Sequence, residues 1–268
     1  MARLAWCVGS TLRYALIVEY DGTRYSGFQY QKNAKTVQEE IETAIARFTG
    51  ETVRIKAAGR TDAGVHATGQ VVTFDSEAGH PTEVVVRALN SHLPDDIAVK
   101  EAHRVADTFD PRRCATARTY VYTIDCGDTR SPNRRRTTFY LGRTLDVGRM
   151  IAAAAEFKGV HDFARFSGPL ERPDASTIRE ILAIDIRQDA ETVRIEVTGN
   201  AFLPHQVRRM AGALLDVGLG KLTIQDVQGL FTGPVAGVVA RALPPQGLCL
   251  VSVQYENLQK SGKLSEGK

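Results

Sequence analysis

The chain has 268 residues, 43% of them hydrophobic and 24% charged, with a formal net charge of +3. That length supports a large core, in one broad domain or two small ones, and the mild charge confines any nucleic-acid surface to a local patch. Cys7, Cys114, Cys126 and Cys249 form no CxxC pair and no apolar run approaches the roughly 20 residues that span a bilayer, which excludes a disulfide framework, a zinc ribbon and a membrane helix, and leaves a cytoplasmic protein as the expectation.

In chain order, residues 14–20 read as a strand closed by the turn pair Asp21-Gly22. Thr36 to Glu39 has a capping-box pattern, and Val37, Ile41, Ile45 and Phe48 then recur on one helical face until Gly50. Strands at 53–57 and 70–74 flank a glycine-containing loop. A helix from about Thr82 carries Val85, Leu89 and Leu93 and ends at Pro94; another strand begins at Ile97. The order is β-α-β-β-α-β.

The second half repeats it. Residues 119–125 alternate as a strand, and Asp146 caps a helix carrying Met150, Ile151, Ala154 and Phe157, with Gly159 as its stop. Strands follow at 181–187 and 192–198. A helix over 205–217 points Val207, Met210, Leu214 and Val217 at the core, a capping box at Thr223 to Asp226 opens one more helix, and 248–255 closes the sheet. The expectation is an α+β protein of two ferredoxin-like βαββαβ halves, 12–113 and 114–256, whose extended antiparallel or mixed sheet carries helices on one side and a central cleft. The ends, 1–11 and 257–268, are expected to be mobile tails.

The chemistry centres on the octapeptide GRTDAGVH at 59–66. Two glycines flank Asp62 and permit close backbone approach, and Arg60 supplies a nearby cation. An aspartate in such a loop is commonly an Asx-turn former, yet a turn needs neither Arg60 nor His66. No second carboxylate stands at a set spacing, as a glycosidase requires, and no metal-binding cluster is present, so no metal is expected. What remains is a lone Asp62 acting as nucleophile or base. Arg208, off the apolar stripe of its helix and just past the tight 199–202 turn, is the candidate cation to pair with it. Tyr120 begins a strand beside Arg118, with Arg112 and Arg113 close by; an aromatic among arginines suits stacking on an extruded base while the arginines grip phosphates. Residues 130–136 form a basic loop that leans toward phosphate contact.

These residues resemble the signature of the tRNA pseudouridine synthase A family. The matching segments are 59–72, 20–29 with 36–38, 90–97, 115–122, 161–163, 202–208 and 245–248, in family order from Leu12 to Tyr255. The resemblance implies the pseudouridine synthase fold and isomerisation of uridine to pseudouridine in the anticodon arm of tRNA, positions 38 to 40. It implies no cofactor or catalytic metal, and a homodimer in which each tRNA touches both subunits. It assigns Asp62 as the essential aspartate, Tyr120 as the active-site tyrosine that stacks on the base and serves as a general base, and Arg208 as the residue pairing with Asp62. Arg60 corresponds to an arginine that helps displace the target nucleotide, and Leu248 to an apolar contact near the base. Arg118 and Arg112 are added as substrate-binding residues from the basic approach. Phe28 stands where many members have Trp, and Pro204 and Gln206 replace the usual His and Met. The competing reading is a catalytically silent tRNA-binding module on the same fold.

Overall fold

A computed structural model describes residues 11–170, 172, 174–232 and 241–256. The expected tails, save for Thr11, lie outside the described residues.

The alternation of the first segment forms β1 (Leu12–Tyr20), with Tyr14, Leu16, Val18 and Tyr20 all buried on one face. Helix α1 (Val37–Thr49) opens at Thr36, whose hydroxyl accepts from the Glu39 N–H at 3.3 Å, and stops at Gly50. Its apolar stripe, Val37, Ile41, Ala44 and Ile45, lies on the strand face just named. β2 (Lys56–Ala57), β3 (His66–Ser76), α2 (Thr82–His92) and β4 (Ile97–Val105) complete the first set. The second comprises β5 (Ala115–Asp125), β6 (Phe139–Tyr140), α3 (Val147–Ala154), β7 (Gly159–Asp162), β8 (Ile178–Asp189), β9 (Thr192–Gly199), α4 (Gln206–Gly218), α5 (Ile224–Thr232) and β10 (Leu248–Tyr255).

The strands form one sheet in the order β4-β1-β3-β10-β5-β9-β8-β7, with β2 also on β3 and β6 on β5. Within it, β4-β1-β3-β2 and β10-β5-β9-β8 repeat the same arrangement, the ferredoxin-like order expected of a duplicated βαββαβ plan. Pairing along the path is antiparallel except at the seam, where β10 meets β3 in parallel through His66–Cys249 and Ala67–Leu250. The main core unites the inward residues of β1, β3, β5 and β9 with those of α1 to α5. Met210, Leu214 and Leu215 of α4 are fully buried there, each stabilising the fold by about 1.5–3 kcal/mol.

Two details go beyond or narrow the expected elements. Ile151 does not face the core; it is 51% exposed, because the inward set of α3 and the following 3-10 turn is Met150, Ala153, Ala154 and Phe157, and Ile151 lies about 100° around the helix from Met150. The strand expected at 53–57 pairs with β3 only at Lys56 and Ala57.

Candidate active site

Asp62 sits in a loop gripped from three sides. The Phe28 N–H donates to the Thr61 carbonyl at 3.0 Å, the Tyr20 hydroxyl meets Thr61 Oγ1 at 2.8 Å, and Gln70 Nε2 donates to the Gly59 carbonyl at 2.8 Å. Gly22 lies so near the loop that a Cβ there would come 2.0 Å from the Val65 carbonyl oxygen, a separation no side chain survives. Gly64, at φ +78°, turns the chain directly after Asp62, and a Cβ on it would press on Pro245. The 20–29 segment, rich in glycine and polar residues, is therefore the floor of the Asp62 loop.

His66 fastens the same loop from behind. Its Nδ1 accepts from the Gly22 N–H at 3.1 Å, so the ring proton lies on Nε2, which donates to the Arg136 carbonyl at 2.7 Å. The 130–136 loop is thus tied to the Asp62 loop through its backbone. Arg134 bridges the buried Asp125 and Glu191, and Arg130, Arg134, Arg135 and Arg136 are not on the cavity wall described next.

In front of Asp62 lies a cavity of about 800 Å3, within the roughly 300–1,000 Å3 range of ligand sites. Arg208 enters from the first turn of α4. Its Nη1 donates to Asp62 Oδ2 at 2.9 Å while its Nε donates to the Leu243 carbonyl at 2.7 Å, so the guanidinium is held at both ends. The Arg208 side chain is 14% exposed and that of Asp62 28%. Tyr120 and Leu248 line the same cavity on the adjacent strands β5 and β10. Tyr120 is 8% exposed and meets Phe202 edge-on at 5.2 Å. Burial raises the pKa of its phenol above the ordinary tyrosine value.

Arg60 and Arg112 are exposed and lie on the wall. Arg118 also reaches the wall, but its guanidinium is spent on backbone. Nη1 donates to the Ala115 and Asn200 carbonyls, and Nη2 to those of Ala58 and Arg112, at 2.6–3.3 Å. Burial pushes its pKa below the ordinary guanidinium value. The phosphate-gripping role expected for Arg118 thus gives way to that of a strut joining both halves of the cavity.

Sequence reasoning missed several wall residues. Arg54, Lys56, Arg172 and Arg179 join Arg60, Arg112 and Arg113 around Asp62 and Asp110, making the cavity far more basic than a net charge of +3 suggests. No motif carries them; only the folding-back of β2 and the 170–179 segment brings them together. His205 was also missed. It precedes α4 in the left-handed conformation, φ +62°, which costs a non-glycine residue about 1–2 kcal/mol. Gln206 is buried and closes this turn by accepting from the Leu203 N–H at 2.8 Å.

A family model described as tRNA pseudouridine synthase matches residues 16–112 and 153–256. The chain belongs to this family. The "tRNA pseudouridine synthase A" of Geobacter sulfurreducens is 42% identical over 242 residues, covering 90% of this chain and 98% of that one. Its counterpart in Geobacter sp. strain M21 is 43% identical over 241 residues, covering 90% and 97%, and that of Myxococcus xanthus is 40% identical over 246, covering 91% and 92%. Among solved structures, an archaeal box H/ACA Nop10–Cbf5 complex matches with a TM-score of 0.35 at 13% identity, over 80% of this chain and 52% of that one. Among the described residues, no helix is long and apolar enough to cross a membrane.

Proposed function

We propose that this chain isomerises uridine to pseudouridine in the anticodon arm of tRNA, at positions 38 to 40. The observation that carries the reading is the ion pair of Asp62 with Arg208 at 2.9 Å, with Asp62 on the wall of a cavity also lined by Tyr120 and Leu248.

A stacked uridine cannot reach this carboxylate, so the base must leave the helix, at a cost of about a few kcal/mol. The basic wall holds the flanking phosphates, and Arg60, beside Asp62 in the loop, takes the space the base vacates. Asp62 then assists or attacks as the N1–C1′ bond breaks. The detached uracil turns between Tyr120 and Leu248, C5 bonds to C1′, the C5 proton leaves and N1 gains one, so composition is conserved. Arg208 fixes and balances the charge of Asp62 throughout. Bound tRNA covers the open side of the pocket and keeps water from hydrolysing the intermediate state.

The protein acts in the cytoplasm as a homodimer, the two halves of each chain meeting at the cavity. Val160, Ile178 and Leu182, exposed on one face of the outer strands β7 and β8, offer apolar surface for a second copy.

The test is to map pseudouridine by chemical labelling in tRNA incubated with wild-type and Asp62→Asn protein. The variant should bind tRNA and form none. Full modification by Asp62→Asn refutes the assignment, and absence of product from both proteins favours the silent tRNA-binding module.

A further inference from the structure

His205 is held at φ +62° in the cavity wall, a backbone state uncommon for residues with a side chain and retained where the surroundings enforce it. Here they do. Gln206 closes the turn from within, and the Gly168 N–H donates to the Pro204 carbonyl at 2.7 Å from the facing loop. That loop is shaped around the imidazole as well, since a Cβ on Gly168 would stand 2.7 Å from His205 Nδ1. The outcome is an imidazole whose Nε2 lies 3.6 Å from Asp62 Oδ2, the same oxygen that Arg208 bonds at 2.9 Å.

We infer that His205 is a positioning residue for the isomerisation: with Arg208 it brackets one oxygen of Asp62, sets the rotation of the carboxylate and so aims the other oxygen at the sugar carbon of the flipped nucleotide. At 3.6 Å the contact is in ion-pair range and longer than a hydrogen bond, so a small movement on substrate closure completes it. A turn-forming role alone does not require an imidazole. Glycine or asparagine would meet the backbone demand better.

The inference rests on the functional reading above, and the experiment separates the two. Pseudouridine formation is timed under single-turnover and steady-state conditions for wild-type, His205→Gly and His205→Asn proteins, alongside tRNA affinity and thermal midpoint. Both variants accept the left-handed backbone, so their midpoints and tRNA affinities should match the wild type. Their turnover should fall at least ten-fold with KM unchanged, and added imidazole should restore part of the rate of His205→Gly. Wild-type turnover in both variants overturns the inference and leaves the function standing, as does a rate loss that only follows a loss of folding or tRNA binding. An inactive wild type overturns the functional reading and this inference with it.

Discussion

Replacing Arg118 with alanine distinguishes a strut from a phosphate contact. Four carbonyls, those of Ala58, Arg112, Ala115 and Asn200, lose their donor at once. A hydrogen bond from a charged donor contributes about 1.5–3 kcal/mol, which sets an upper bound of about 6–12 kcal/mol for four. Carbonyls facing the open cavity regain water when the side chain goes, and the cost of keeping a guanidinium 8% exposed disappears with it. The net loss should be about 3 kcal/mol, lowering the thermal midpoint of a chain this size by about 6–12 °C. Calorimetry measures the midpoint, and tRNA titrations at several salt concentrations measure affinity. A strut gives the midpoint loss with a nearly unchanged salt slope. A phosphate contact gives an unchanged midpoint, uniformly weaker binding and a salt slope reduced by about one, and that result would refute the reasoning.

Arg208→Ala should slow single-turnover pseudouridine formation by roughly 10²–10³-fold, the usual cost of deleting one preorganised charge partner, and Arg208→Lys should recover little because one ammonium cannot hold Asp62 and the Leu243 carbonyl in a fixed fork; wild-type turnover in either variant would show the pair to be dispensable. Alkaline stability supplies a test independent of catalysis. Burial raises the pKa of the Tyr20 and Tyr120 phenols above their ordinary 10.0, so the unfolded chain ionises first and the stability they contribute, intact below pH 10, is lost as pH rises beyond it. Each should add about 1.4 kcal/mol per pH unit to the decline above pH 10, and Tyr120→Phe should flatten the curve by one tyrosine's share; an identical slope in the variant would contradict this.

Most of the fold was legible because its signals are local. The capping patterns at Thr36, Asp146 and Thr223 each produced a helix start, with Thr223 and Asp226 bonding each other reciprocally. The period-two runs produced β1, β5 and β9. What was less legible was extent: the alternation of Val53, Ile55 and Ala57 reads as a five-residue strand, of which only Lys56 and Ala57 find partners on β3. The Asp62–Arg208 encounter could be anticipated from residue type and loop context, although 146 positions separate the two. Arg118 could not, since an arginine beside an aromatic reads identically whether it reaches for phosphate or for carbonyls. His205 gave no sign at all; a left-handed backbone leaves no trace in a residue's name.

The seam where β10 lies beside β3 has a consequence for the order in which this catalyst comes into being. The acid at 62 leaves the ribosome long before the Leu243 carbonyl, the Pro245 wedge against Gly64 and the strand that joins the halves. A nascent chain therefore holds the Asp62 loop without the late carbonyl, proline and strand that pack against it and its partner Arg208, and the site takes its final shape only once they are made.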